Sequence, residues 1–241
     1  ANDVTLTDGA NNFATLRLAS ADNASITDSN ALVLGAGASA VTTNLTLVVG
    51  GNLTQSAAVS AGGQTTITAG ANDVTLTDGA NNFATLRLAS ADNASITDSN
   101  ALVLGAGASN VGTLTASAGG LGALTLSGAV TVTGAGGAAL TGPAGIAINA
   151  ALDVQAGDLD LTTTTGGISQ TVAISADAGL TSIDAGDQNV VLGLANDFQS
   201  LTASNIGQIT VADANDMTVA AGGITGAAGV VSVSAGTTLR L

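Results

Sequence analysis

Apolar and polar residues alternate in short stretches along the whole chain, as in Val4-Thr-Leu6, Ala24-Ser-Ile26 and Leu45-Thr-Leu47. A period of two residues is typical of β-strands that bury one face. Pairs that favour turns, such as Asp-Gly, Gly-Gly and Gly-Asn, separate these stretches. The pattern therefore predicts a protein made of short strands and tight corners.

The chain also contains long internal repeats. Residues 1–39 recur without a change at 71–109, an offset of 70 residues, and a degenerate third copy occupies residues 168–222. Phe83 of the second copy aligns with Phe198 of the third, which gives an offset of 115 residues. If both offsets are whole numbers of structural turns, three turns fill the first and five turns fill the second. A turn of about 23 residues satisfies both conditions.

Each repeat holds about nine strand-like stretches, which is three for each turn of that length. Three short strands per turn predict an all-β fold, a triangular parallel β-helix whose turns stack about 4.8 Å apart. One turn cannot bury its own apolar face, but a stack of turns buries a continuous column of Val, Leu and Ile. We therefore expect residues 1–241 to form a single β-solenoid, and the start inside a repeat suggests a segment of a longer protein.

Composition disfavours several classes of function. The 241 residues include 17 acidic residues, all of them Asp, but only three Arg and no Lys, His or Cys, for a net charge of -14. Without His or Cys there is no imidazole or thiolate metal site, no nucleophile–His pair and no disulfide. The acidic charge disfavours nucleic-acid binding, and no apolar run approaches the roughly 20 residues of a membrane helix. We expect no nucleic-acid partner and no membrane insertion of this segment.

Asp-x-Asn triplets recur at one point of the repeat, at Asp28-Ser-Asn30, Asp98-Ser-Asn100 and Asp213-Ala-Asn215. Oxygen side chains at this spacing could hold Ca²⁺. Asp and Asn also close turns through hydrogen bonds to their own backbone, and the Gly-rich nonapeptide of calcium-binding β-rolls is missing here. We favour the turn interpretation, and we expect neither a metal site nor a cofactor.

Asp158 and Asp160 are a candidate pair of catalytic carboxylates, because two such groups can act as general acid and base in sugar hydrolysis. They lie on one face of a strand where solvated Asp is also expected. No Lys, His or Tyr is available to bind an acidic sugar or to stack against a ring. We therefore expect no catalytic residues and no enzymatic activity.

Two other patterns have a simple structural explanation. Thr5-Leu-Thr7, Thr66-Ile-Thr68 and Thr131-Val-Thr133 could form the flat threonine array of an ice-binding solenoid, but Thr is also a common outward-facing strand residue. The predicted turn of about 23 residues does not stack them, because Thr5 and Thr66 are 61 residues apart.

Asn-x-Ser/Thr tripeptides, the pattern of N-glycosylation, arise by chance in a chain so rich in these residues. They begin at Asn23, Asn44, Asn52 and Asn93.

Several blocks resemble the repeat region of filamentous-haemagglutinin-like exoproteins, which are large Gram-negative surface adhesins exported by two-partner secretion. These blocks are Asn11-Asn-Phe13, Ala24-Ser-Ile-Thr-Asp28, Asn30-Ala-Leu-Val-Leu-Gly35, Gly51-Asn-Leu-Thr-Gln55 and Thr65-Thr-Ile-Thr-Ala-Gly70. The resemblance covers essentially the whole chain. It implies a right-handed β-helical shaft on a secreted or cell-surface protein of a Gram-negative bacterium.

The sequence and this resemblance together predict a non-enzymatic structural shaft of a bacterial adhesin or matrix protein. The alternative is a subunit of a self-assembling extracellular filament, because open ends of a β-helix expose unpaired strands. A carbohydrate-active enzyme and an ice-binding solenoid are less favoured. The partners expected from these hypotheses are other copies of the chain or other matrix components.

Overall fold

The computed structural model describes residues 2–241, and this part of the chain is all-β. Its strands belong to one 23-stranded sheet, and every pairing between them is parallel. Among these residues, no helix has the length and apolar character needed to cross a membrane. The strands are β1 (Val4–Leu6), β2 (Thr15–Leu16), β3 (Ala24–Asp28), β4 (Leu32–Leu34), β5 (Ser39–Val41), β6 (Leu45–Val49), β7 (Leu53–Gln55), β8 (Val59–Thr68), β9 (Val74–Leu76), β10 (Asn82–Asp98), β11 (Leu102–Leu104), β12 (Ser109–Ala118), β13 (Leu124–Leu126), β14 (Val130–Val132), β15 (Ala138–Thr141), β16 (Ile146–Ile148), β17 (Leu152–Val154), β18 (Leu159–Thr162), β19 (Ile168–Gln170), β20 (Ile174–Asp213), β21 (Met217–Ile224), β22 (Val231–Ser234) and β23 (Leu239–Arg240).

The strands stack into ladders that run along the axis of a β-solenoid of about 11 turns. We name each ladder by inward-facing residues that pair from turn to turn. Ladder A contains Val4, Ala24, Leu45, Thr65, Leu86, Leu104, Leu126, Ile148 and Gln170. Ladder B contains Leu32, Leu53, Val74, Ala94, Leu114, Ala138, Leu159 and Thr181. The third face is formed first by ladder C, which contains Ala21, Val41, Ala61 and Phe83, and then by ladder D, which contains Ala91, Val111, Val132 and Val154.

The turn is shorter than the repeat arithmetic predicts. Ladder B passes from Leu32 to Thr181 in seven steps, and the solenoid has about 21 residues per turn. The longer turn predicted from the repeat offsets is therefore wrong, while the all-β parallel solenoid with three short strands per turn is confirmed. At about 4.8 Å per turn, the rod is on the order of 50 Å long.

The predicted turn length was wrong because the repeat offset is not a whole number of turns. With about 21 residues per turn, the offset that carries residue 1 to residue 71 is more than three turns and less than four. Leu16 of the first copy pairs with Leu34 in the strands of ladder B, whereas its equivalent Leu86 belongs to ladder A. Identical sequences thus occupy different faces of the triangle.

The interior is a narrow column of aliphatic side chains that continues along the rod. Short strands such as Leu124–Leu126, Val130–Val132 and Ile146–Ile148 bury their first and third residues and leave the middle one partly exposed. Phe83 and Phe198 are the largest fully buried side chains. Because each turn covers the apolar face of the next, hydrophobic burial stabilises the stack as a whole.

Candidate functional site

The most distinctive polar arrangement in the rod is a buried contact between two segments of each repeat copy. An Asn-x-Phe segment lies one turn below an Asp-x-Asn segment, and we call each such pair an Asn–Asp clamp. The three clamps consist of residues 11–13 with 28–30, 81–83 with 98–100, and 196–198 with 213–215.

In the second clamp, both carboxylate oxygens of Asp98 accept backbone hydrogen bonds. Oδ2 accepts the N–H of Phe83 at 2.6 Å, and Oδ1 accepts the N–H of Asn100 at 2.9 Å. Asp98 is fully buried. Burial raises the pKa of Asp98 above its ordinary value, although the hydrogen bonds from Phe83 and Asn100 oppose this shift.

The other two clamps repeat this geometry. The carboxylate of Asp28 accepts the N–H groups of Phe13 and Asn30, and that of Asp213 accepts those of Phe198 and Asn215. The bond from each Asp to the residue two positions later is the turn that the sequence predicts. The bond from Asp to Phe joins adjacent turns of the solenoid, which the sequence did not reveal.

A buried asparagine occupies the other side of the clamp. The side-chain amide of Asn81 donates to the carbonyl oxygens of Leu76 and Thr97, both at 3.1 Å. Its Oδ1 accepts the N–H of Val59 at 2.9 Å and the Nε2 amide of Gln55 at 2.8 Å. Asn81 thereby ties together three consecutive turns of backbone.

The third copy has the same asparagine network. Asn196 donates to the carbonyl oxygens of Leu192 and Ala212, and its Oδ1 accepts from Ile174 N–H and Gln170 Nε2. Gln55 and Gln170 thus occupy equivalent positions of the two copies. Neither of them was assigned a role from the sequence, although a glutamine recurs at this point of the repeat.

The clamp marks the point where one ladder ends and another begins. Ladder C ends at Phe83. On the next turn, residues 98–100 form a turn in place of a strand, and Ser99 N–H donates to the carbonyl oxygen of Asn81. Ladder D begins at Ala91, a short way further along the same strand β10. Ladder C lies between ladders B and A in chain order, whereas ladder D lies between A and B. The third face therefore changes its position in the turn.

The turn that contains a clamp is also short. The pairs Leu16 with Leu34, Leu86 with Leu104 and Leu201 with Val219 are equally spaced along the chain. Each of these steps is shorter than the shortest step of ladder B, such as that from Val74 to Ala94. All three copies therefore carry the same local shortening.

An arginine covers the corner that follows each of the first two clamps. Arg87 Nε donates to the carbonyl oxygen of Ala108 at 3.0 Å, and Arg17 donates to Ala38 at 3.2 Å. Gly107 in this corner has φ +124°, a backbone conformation that favours glycine, and a Cβ there would lie 2.9 Å from Arg87 Nε. The arginine thus holds a glycine corner closed.

The two candidate carboxylates, Asp158 and Asp160, have different surroundings. Asp158 Oδ1 accepts the N–H of Leu180 at 2.8 Å, so this carboxylate links adjacent turns. Asp160 faces outward between Ala139 and Ser182 of the neighbouring turns. Burial and the nearby charge of Asp158 raise the pKa of Asp160. Within residues 2–241, no three His, Cys, Asp or Glu side chains are grouped so as to hold a metal ion.

Thr5 and Thr66 do stack on one face, contrary to the prediction from the repeat offsets. Thr5 pairs with Ser25, Ser25 with Thr46, and Thr46 with Thr66, so Thr5 and Thr66 lie on one ladder three turns apart. Three turns of about 21 residues each account for their separation. Outward hydroxyls do stack on this face, and the error followed from the turn length.

The fold and the clamps define the class of this protein, a parallel β-solenoid built from long sequence repeats. A family described as "Repeats of unknown function (DUF5649)" matches residues 21–90, 91–152 and 135–205, and the chain belongs to this family. The first two matches begin at residues 21 and 91, which are the residues that start ladders C and D. No curated protein matches the chain significantly. No solved structure does so either.

Proposed function

We propose that this chain is a non-enzymatic shaft, a stiff spacer within a secreted or cell-surface protein of the filamentous-haemagglutinin type. The observation that supports this most directly is the unbroken stack: one sheet and one aliphatic column run from the first strand to the last. The resemblance to Gram-negative exoproteins supports the extracellular location. The polar network of the clamps holds backbone segments and serves the fold itself.

Stiffness follows from the way the turns are joined. Ladders A and B join the turns on both sides of a clamp, and a third ladder joins them elsewhere, so bending the rod requires many backbone bonds to distort together. The net charge of -14 keeps the surface strongly hydrated and opposes nonspecific association.

The stiffness is tested by single-molecule energy transfer between dyes at the two ends. The chain has no cysteine, so Asp3→Cys and Ser234→Cys introduce specific labelling sites. A shaft gives one narrow distance distribution at about 50 Å, the length of the stack, whereas a chain that flexes gives a broad one. A broad distribution under native conditions would contradict the spacer function.

The location is tested separately with antibodies against the rod. Labelling of intact cells of the source organism, or recovery of the protein from the medium, is expected. Recovery from the cytoplasm alone would contradict the extracellular assignment without affecting the argument about stiffness.

A further inference from the structure

We infer that the Asn–Asp clamp is a device that makes successive repeats exchange faces of the solenoid. The rod then grows in units of one sequence repeat, and each unit moves equivalent residues from ladder A to ladder B and from ladder B to ladder A. The inference concerns the fold and does not depend on the spacer function.

The first support is that identical sequences make the same contacts on different faces. Leu18 N–H donates to Ser39 Oγ and Leu88 N–H donates to Ser109 Oγ, both at 3.1 Å. The bonds from Asn30 to Asn12 and from Asn100 to Asn82 also correspond. The local structure of the repeat is therefore the same on either face.

The second support is the position of the ladder change. The ladder that begins at Ala21 ends at Phe83, and the next begins at Ala91, the equivalent of Ala21. Each unit thus starts one ladder and ends the ladder that the previous unit started. The remaining two ladders pass through this point, with ladder A making its short step from Leu86 to Leu104.

The consequence is an alternating distribution of surface features. One unit adds about 16 Å to the rod, from a little more than three turns of about 4.8 Å. Because equivalent residues exchange ladders A and B in each unit, two units return the pattern to its starting ladder. Equivalent side chains such as Arg17 and Arg87 therefore project in different directions.

The exchange of ladders is tested by distances between spin labels. Thr5→Cys with Thr66→Cys places both labels on ladder A, three turns apart, and predicts a separation of about 14 Å. Thr5→Cys with Thr75→Cys labels equivalent residues of the two identical copies. This pair should be clearly farther apart, because Thr75 belongs to ladder B. A shorter distance for the second pair would overturn the inference.

The growth unit is tested by insertion. Duplicating residues 40–109 directly after Ser109 gives a longer chain in which every junction has a natural local context, because Ala40 already follows a serine. We expect a rod longer by about 16 Å in small-angle X-ray scattering, with unchanged ellipticity per residue and a melting temperature no lower than that of the parent chain.

The matched control inserts residues 47–109 at the same place. This shorter insert fills three turns of about 21 residues, but it omits residues 40–46, which are the end of β5, the corner after it and the start of β6. If the unit is set by the clamp, this control loses cooperative melting, because the strand after Ser109 meets the wrong face. Equal stability of the two insertions, or failure of the full-repeat insertion alone, would overturn the inference. Either result leaves the stiffness measurement of the parent rod unaffected.

Discussion

Two threonines occupy inward positions where most turns place an aliphatic residue. Thr65 and Thr181 are fully buried, and among residues 2–241 their hydroxyls have no hydrogen-bond partner. A third buried threonine, Thr163, donates its hydroxyl to the carbonyl oxygen of Ala185 at 3.2 Å. A buried threonine hydroxyl therefore destabilises the fold where it has no partner and stabilises it where it donates a hydrogen bond.

Replacement of the unpaired hydroxyl should stabilise the rod. Thr65→Val keeps the shape and removes a desolvated polar group, and we expect a gain on the order of 1 kcal/mol in the free energy of unfolding. Thr163→Val is the matched control and should be destabilising, because it leaves the carbonyl of Ala185 without its donor. Chemical denaturation measures both. A loss of stability in Thr65→Val would show that its hydroxyl has a partner in solution.

Asp98 illustrates why a turn-forming Asp is not interchangeable with Asn in a clamp. Asp98→Asn retains one acceptor oxygen but directs a side-chain N–H₂ toward a backbone N–H. We expect a loss of about 1–3 kcal/mol, since a buried donor loses its acceptor. Asp177→Asn, at an exposed position, should be neutral. Equal stability of both variants in urea denaturation would contradict the clamp geometry.

Because the pKa of Asp98 is raised, the difference in stability between the parent chain and Asp98→Asn depends on pH. Because the pKa in the folded state lies above that in the unfolded state, the folded chain binds the proton more tightly. The stabilising contribution of protonation is fully present below the unfolded pKa and is lost as pH rises through the folded pKa. We therefore expect the stability gap between the parent chain and Asp98→Asn to widen as the pH falls from neutral into the acidic range. Urea denaturation at each pH measures the gap, and a narrowing would mean that the pKa is lowered instead.

At the scale of the strand and its ladder, the alternation of residues predicted the buried faces well. The outward rank of Thr5, Ser25, Thr46 and Thr66 shows where prediction failed. The three faces of the triangle make nearly the same demands on a strand, so a sequence can recur on a different face as readily as on the same one. Sequence periodicity alone does not distinguish these cases. The clamp contacts could not be predicted from the sequence either. Phe83 and Asp98 lie on adjacent turns, and the correct turn length is needed to recognise them as neighbours.

The end of a ladder provides an internal comparison between identical sequences. Phe83 is completely buried at the end of ladder C, whereas Phe13 in the first copy is only partly buried. Phe83→Ala should leave a cavity and cost about 3–5 kcal/mol, and Phe13→Ala should cost clearly less. Thermal melting of the two variants makes the comparison. Equal losses would mean that Phe13 is as well packed as Phe83.

At the scale of the whole molecule, the dominant electrostatic feature is self-repulsion. The net charge of -14 is distributed along a narrow rod, and Arg240 with Asp216 forms an ion pair with exposed side chains, at 3.3 Å. Mobile ions screen such repulsion beyond about 10 Å at about 0.1 M ionic strength. Stability should therefore rise with salt, whatever the identity of the cation.

The final prediction separates this screening from specific calcium binding. The clamp carboxylates already accept two N–H donors each, so a cation would have to displace backbone hydrogen bonds to reach them. We expect the same melting temperature in sodium chloride with chelator and in calcium chloride at equal ionic strength. Binding to the native state alone would raise the melting temperature in calcium further. If calcium does so, and Asp98→Asn abolishes the difference, the clamp is a metal site and its interpretation as a backbone tie is wrong.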